Sequence, residues 1–157
     1  MVIEIRRSSP RDGDCQALID ELDQYQLDLY PAESNHLDSA EELEQSNVIF
    51  LGAYEDNALV GIGALKVMEQ DIRYGEIKRV YVPSSARGKG VSVKLMQELE
   101  DQARSADVLT IRLETGIYQP EAIGLYRKLG YVDRDSFGDY PVDDPMSVFM
   151  EKSLADD

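Results

Sequence analysis

The residues whose types and spacing most plainly suggest chemistry are Arg87-Gly88-Lys89-Gly90-Val91-Ser92. They follow a strand-like run, Glu76-Ile77-Lys78-Arg79-Val80-Tyr81-Val82, that Pro83 ends because proline has no N–H to give a ladder. Ser84-Ser85-Ala86 make a short loop, and the pattern predicts a helix from Gly88, or just after it, to about Arg104. Two glycines at a helix start let the backbone approach a ligand with no Cβ in the way. First-turn N–H groups lack intrahelical partners, and the helix dipole favours an anion beside them. Arg87 and Lys89 add positive charge in a chain of formal net charge −15. The chemistry implied is phosphate binding. A plain surface turn before a helix accounts for the same residues, because short glycine motifs arise by chance. The strand–loop–helix setting favours the phosphate cradle. No Gly-x-x-x-x-Gly-Lys-Ser/Thr run occurs, and Val93 stands where a dinucleotide fingerprint needs its third glycine.

The segment resembles the acyl-CoA pyrophosphate loop of the GNAT superfamily of N-acetyltransferases. That pattern, Arg/Gln-x-x-Gly-x-Gly/Ala, is met by Arg87 and Gly90, with Ser92 as a small substitute at the last position. Downstream, Leu113-Glu114-Thr115-Gly116, Glu121-Ala122-Ile123 and Leu125-Tyr126-Arg127-Lys128-Leu129-Gly130-Tyr131 resemble the family's strand–helix–Gly-Phe/Tyr segment. The ending Ser147-Val148-Phe149-Met150-Glu151-Lys152 resembles the last strand of small bacterial members. The matches keep family order over roughly residues 2–153. They imply an α+β fold with a central mixed, V-splayed sheet flanked by helices, acetyl-CoA as co-substrate, and an expected homodimer. The chain is expected to be one such domain over 1–157, with 154–157 as a disordered acidic tail.

The resemblance also implies roles. Backbone amides of Val80, Tyr81 and Val82 would pair with the pantetheine arm as an added strand, while Arg87 to Ser92 hold the pyrophosphate. Ile77 to Val80 is an odd spacing and Val80 to Val82 an even one. That slip fits a β-bulge that turns one N–H toward the thioester as an oxyanion donor. It fits equally a strand packed on both faces. Tyr126 is the candidate acid for the leaving thiolate, since a phenol of pKa about 10 is protonated at neutral pH. A core tyrosine on an amphipathic helix is the competing reading. The asparagine many members carry near the start of this helix is missing, so its polar role is unfilled or passes to Gln119.

An amine of lysine type, pKa about 10.4, must lose a proton before attack. Glu76 is the candidate base, directly or through water, with Glu114 second; a solvated or ion-paired carboxylate is the structural alternative for each. His36 lies in an acidic loop and reads as a bystander. The acceptor pocket is expected between the first helix, the Glu69–Gly75 connection and the Ser136–Pro145 loop. Tyr25, Tyr30, Phe137 and Tyr140 would line it and Asp139, Asp143 and Asp144 would hold a cation. Those aromatics could equally be core or dimer contacts.

Composition narrows the function further. At 157 residues the chain is long enough for one good core. Its acidity argues against general nucleic-acid binding and would attract a small cationic or peptide amine, or serve solubility alone. No apolar run approaches a membrane span and no signal core precedes the first strand, so a cytoplasmic location is expected. One histidine and one cysteine make a metal site unexpected. Cys15, beside Leu18, Ile19 and Leu22, reads as a buried thiol. The leading reading is direct acetyl transfer from acetyl-CoA to a primary amine. A non-catalytic acyl-CoA-binding regulatory module and a nucleotide-binding domain are the alternatives.

Around these residues, periodicity places strands at 2–6, 48–54, 59–67, 76–82, 108–113 and 146–151, with a further strand beginning at Tyr131. Helices are expected at about 12–29, 39–43, after Gly88, and 120–129, with Gly130 as a stop. Gly61 and Gly63 weaken their strand but suit close packing or a bulge. Helices and strands without strict alternation make the α+β class.

Overall fold

The computed structural model describes residues 2–31, 34 and 38–155. Seven strands form one sheet in the order β1-β2-β3-β4-β5-β7-β6. They are β1 (Ile3–Arg7), β2 (Val48–Glu55), β3 (Ala58–Glu69), β4 (Arg73–Tyr81), β5 (Thr110–Gly116), β6 (Val132–Arg134) and β7 (Ser147–Ser153). The helices are α1 (Gly13–Leu29), α2 (Ala40–Leu43), α3 (Val91–Ser105) and α4 (Pro120–Lys128). Every neighbouring pair is antiparallel except β4–β5, which is parallel.

Alternation along the central strands separates two apolar layers. Leu51, Ala53 and Leu65 pack with Val91, Leu95, Met96, Leu99 and Ala103 of α3. Phe50, Ile62 and Ala64, in the other layer, pack with Cys15 and Ile19 of α1 and Leu43 of α2. A strand with both faces covered must be apolar at successive residues, as β2 is. The glycines of β3 belong to the α3 layer: a Cβ on Gly61 would stand 2.9 Å from Val91, and one on Gly63 3.3 Å from Leu99. Close seating of α3 on the sheet, expected for these glycines, is what they permit.

Local signals resolve the ends of the elements. Asp56 and Asn57 both have positive φ (51° and 67°), giving the β2–β3 hairpin a twist that matches its strands. Ser39 and Glu42 cap α2 reciprocally. Gly130, at φ 98°, ends α4. Four expectations shift. Helix α3 begins at Val91, not near Gly88, because Gly90 (φ 75°) is still a left-handed turn residue. The 69–75 connection shrinks to Gln70–Ile72, since Arg73 and Tyr74 are already in β4. Strand β5 runs on to Gly116, placing Glu114 and Thr115 inside it. Leu154, assigned to a disordered tail, is 2% exposed in the core, and its N–H donates to Leu109 O. Apolar burial outweighs the acidic context there. Asp156 and Asp157, and most of the 32–37 connection with His36, lie outside the described residues.

Candidate active site

The β4–β5 pairing spans three register pairs, Gly75–Ile111, Glu76–Arg112 and Ile77–Leu113. Past Ile77 and Leu113 the two strands part, and their diverging ends open the sheet. On its other side, β4 stays paired with β3 through a register slip: Ile62 and Ala64 face Tyr81 and Lys78. Two residue steps on β3 therefore span three on β4, which is a β-bulge, one of the two readings the spacing allowed. Arg79 carries it with φ 55°. A non-glycine residue in that region is uncommon and needs holding. Arg79 Nε and Nη2 donate to Asp38 O at 3.2 and 2.7 Å, and Nη1 pairs with Asp23 at 2.5 Å.

A cleft of about 110 Å³ fills the opening. Three faces supply it. Leu22, Gln26 and Tyr30, spaced by four, form one stripe of α1 and its end. Gln119, Ala122 and Tyr126 form a stripe of α4, and the diverging strands give Ile77–Val80 and Leu113–Gly116. Asp38, Tyr140 and Met146 close the edge.

Tyr126 stands in this wall, 7% exposed, its ring edge-on to Tyr131 at 5.9 Å. Burial, then the negative Glu114 nearby, pushes its hydroxyl up to about 12. It stays protonated through the neutral range. Tyr30 lines the cleft and organises the turn from β5 into α4: its oxygen accepts the Tyr118 N–H at 3.1 Å, and its hydroxyl donates to Gln119 Oε1 at 3.3 Å. Gln119, the candidate for the missing asparagine's role, faces the cleft. Glu114 lines it too, with Oε2 accepting from Ser147 Oγ at 2.8 Å.

Glu76 does not line the cleft. It is 4% exposed, behind Lys78 and Tyr140: its Oε2 accepts from the Tyr140 hydroxyl at 2.5 Å and from Lys78 Nζ at 3.0 Å. Lys78 Nζ also pairs with Asp38 at 3.1 Å and donates to Tyr140 at 2.8 Å. Burial pulls the Lys78 ammonium down, but Glu76 and Asp38 more than offset it and hold the group charged. Burial, then Glu76, keeps Tyr140 protonated far into the alkaline range.

Other expected lining residues separate. Tyr140 is in the wall, whereas Phe137 is a core residue, 5% exposed, packed edge-on against Tyr74 and Phe149. Tyr25 is half-buried and outside the lining. Asp139 and Asp143 are exposed; Asp144 accepts from Ser34 Oγ and the Met146 N–H. None of the three lines the cleft. Sequence reasoning missed Lys78, Arg79 and Asp38. The first two carried a signal, as charges inside an otherwise apolar strand must be paired; Asp38, in a connection, carried none.

Beyond Val80, a second concavity of about 140 Å³ is bounded by Val82, Ala86, Arg87, Gly88, Gly90, Val91, Ser92 and Val93. Gly88 (φ 82°) and Gly90 turn the chain so that α3 starts here with no side-chain cap. Its first amides have no side-chain cap, an arrangement that suits an anion. Arg87 Nε donates to Val82 O at 3.2 Å, and Lys89 Nζ pairs with Glu55 at 3.1 Å. Val80, Tyr81 and Val82 thus run from the cleft to the helix start. Among the described residues, no group of three or more His, Cys, Asp or Glu could hold a metal, and no helix is long and apolar enough to cross a membrane.

A mixed sheet thus opens between two parallel strands, beside an uncapped helix start. A model of the acetyltransferase (GNAT) family matches residues 15–131. The "IAA acetyltransferase" of Azospirillum brasilense is 45% identical over 152 residues, covering 97% of this chain and 98% of that protein. A Klebsiella pneumoniae structure, provisionally assigned as an acyl-CoA N-acyltransferase, superposes with a TM-score of 0.80 at 38% identity, covering 98% of each chain. The PaiA N-acetyltransferase of Thermoplasma acidophilum, solved with coenzyme A, gives 0.74 at 25% identity, covering 98% of this chain and 99% of that one. The chain belongs to the GNAT family of acetyltransferases.

Proposed function

We propose that the protein moves an acetyl group from acetyl-CoA directly to a primary amine while both are bound. The observation that carries this reading is the continuous path from the uncapped start of α3, along Val80–Val82, to the cleft wall at Tyr126. The pyrophosphate sits on the amides after Gly90, and the pantetheine arm pairs with β4 where β5 has left it. That puts the thioester at the Arg79–Val80 bulge, where a turned N–H meets the developing oxyanion. Tyr126 gives its proton to the departing sulfur. Glu114 draws the acceptor's ammonium into the cleft.

The position of the thiol supports transfer without an acyl-enzyme. Cys15 is fully buried in the layer between α1 and the sheet, outside the cleft, and burial pushes it up to about 11. A nucleophilic cysteine needs the opposite environment. The test is thiol release from acetyl-CoA across polyamines, aminoglycosides, amino acids, lysine peptides and IAA, with the product weighed by mass spectrometry. An acceptor heavier by one acetyl group is the expected result. CoA binding with no acylated product from any acceptor would contradict it.

A further inference from the structure

The buried group behind the cleft has a charge balance that the transferase reading above leaves unexplained. Two carboxylates, Glu76 and Asp38, share the single ammonium of Lys78, at 3.0 and 3.1 Å. The trio carries one net negative charge with Glu76 and Asp38 4% and 8% exposed. Structure alone would be served by one carboxylate and one ammonium, since a lone excess charge costs desolvation. One proton entering the trio makes it neutral. Its route in is visible: Tyr140 faces the cleft, and its hydroxyl donates to Glu76 Oε2 at 2.5 Å.

We propose that Tyr140 and Glu76 are the proton exit for the acceptor amine. The bound ammonium's N–H bond breaks and its proton joins the Tyr140 oxygen. In the same step the Tyr140 hydroxyl proton passes to Glu76 Oε2. The neutral amine then attacks the thioester carbonyl, forming C–N and breaking C–S, and the electron pair leaves on sulfur. Sulfur takes the Tyr126 proton, and the second proton lost by nitrogen replaces it. One proton leaves Glu76 for solvent per turnover, which balances the reaction of an ammonium to give an amide and a thiol. Tyr140 touches substrate in this scheme; Glu76 acts through it. Lys78 keeps its Asp38 partner when Glu76 is neutral.

The surrounding charges permit this. Glu114 on β5 and Asp38 both favour a protonated Tyr140. Lys66 of β3 and Arg112 of β5 flank Glu76 in register, and Arg112 is committed to Asp71 and Glu151. Tyr74 lies two residues along β4 and feels the Glu76 charge.

The experiment measures kcat/KM from pH 6 to 10 for wild type, Tyr140→Phe, Glu76→Gln and the double variant. The acceptor is spermidine or N-acetyl-lysinamide, whichever turns over. CoA affinity and melting temperature check that each variant folds. Without the exit, only amine that is already neutral reacts. The single variants should lose on the order of 10³-fold at pH 7, the neutral fraction of such an amine there. The loss should shrink about tenfold per pH unit and nearly close as pH nears the amine's pKa of about 10. The double variant should be no worse than either single one. A loss that is uniform across pH, or variants that multiply, would overturn the proton exit while leaving the transferase reading standing. Wild type inactive on every amine would overturn both.

Discussion

Tyr126 and Cys15 are two buried acids pushed in the same direction, with opposite consequences. A thiol held protonated is inert, while a phenol held protonated is ready to donate to a strong base such as a thiolate. Tyr126→Phe removes that proton and little volume. Turnover should fall about 10²-fold with CoA affinity changed less than about twofold, read by steady-state kinetics beside calorimetry. Because Tyr126 holds its proton to about 12, it gives the rate no alkaline limb below about pH 11. Lys89 and Arg87 also part company. Lys89 is paired with a carboxylate, Glu55, whereas Arg87 donates to a carbonyl of its own loop and, among the described residues, has no carboxylate partner. Arg87→Ala should therefore weaken CoA about tenfold and Lys89→Ala less than about threefold, measured by titration at low salt.

The turn from β5 into α4 is where one element sets the position of another. A Cβ on Gly116 would lie 1.8 Å from the Tyr30 hydroxyl oxygen, so the end of β5 and the end of α1 touch through a missing side chain. Gly116→Ala must push Tyr30 off Tyr118 and Gln119, at a cost of about 1–3 kcal/mol. The melting temperature should drop by roughly 3–10 °C, with kcat falling alongside. Gly124, in α4, has open space at its Cβ position, so Gly124→Ala should raise the melting temperature by about 1–4 °C. Thermal melts of the two variants compare a packed glycine with an idle one.

Across the whole molecule, the order of elements and the glycine turn before α3 were legible in the sequence because they rest on local signals. Glycines with positive φ at 88 and 90, a proline after the strand, and the stripe Val91–Leu95–Leu99–Ala103 each report on their own neighbourhood. The bulge at Arg79 showed as a slip of alternation, which a strand packed on both faces would also give. The interior of the cleft was not, because it depends on contacts far apart in the chain. Glu76 looked like an open base until Tyr140, 64 residues on, was found covering it, and Phe137 looked like a wall until Tyr74 and Phe149 enclosed it. Buried acids also shape stability. Cys15 is pushed up to about 11, and Tyr81 and Tyr126 up to about 12. The unfolded chain releases these protons near pH 8.5–10, earlier than the folded one. Stability is whole below that range and is lost as pH rises toward 12. Melting temperature should hold to about pH 8 and then fall, with the fall smaller in Cys15→Ala.

The claim on which the rest stands is that the start of α3 seats the pyrophosphate of CoA. Calorimetric titration of the protein with CoA, repeated with ATP and NAD, tests it most directly. One site of micromolar affinity for CoA, weakened by Arg87→Ala and far tighter than either nucleotide, is the result expected. No heat with CoA, or ATP or NAD bound as tightly, would contradict it.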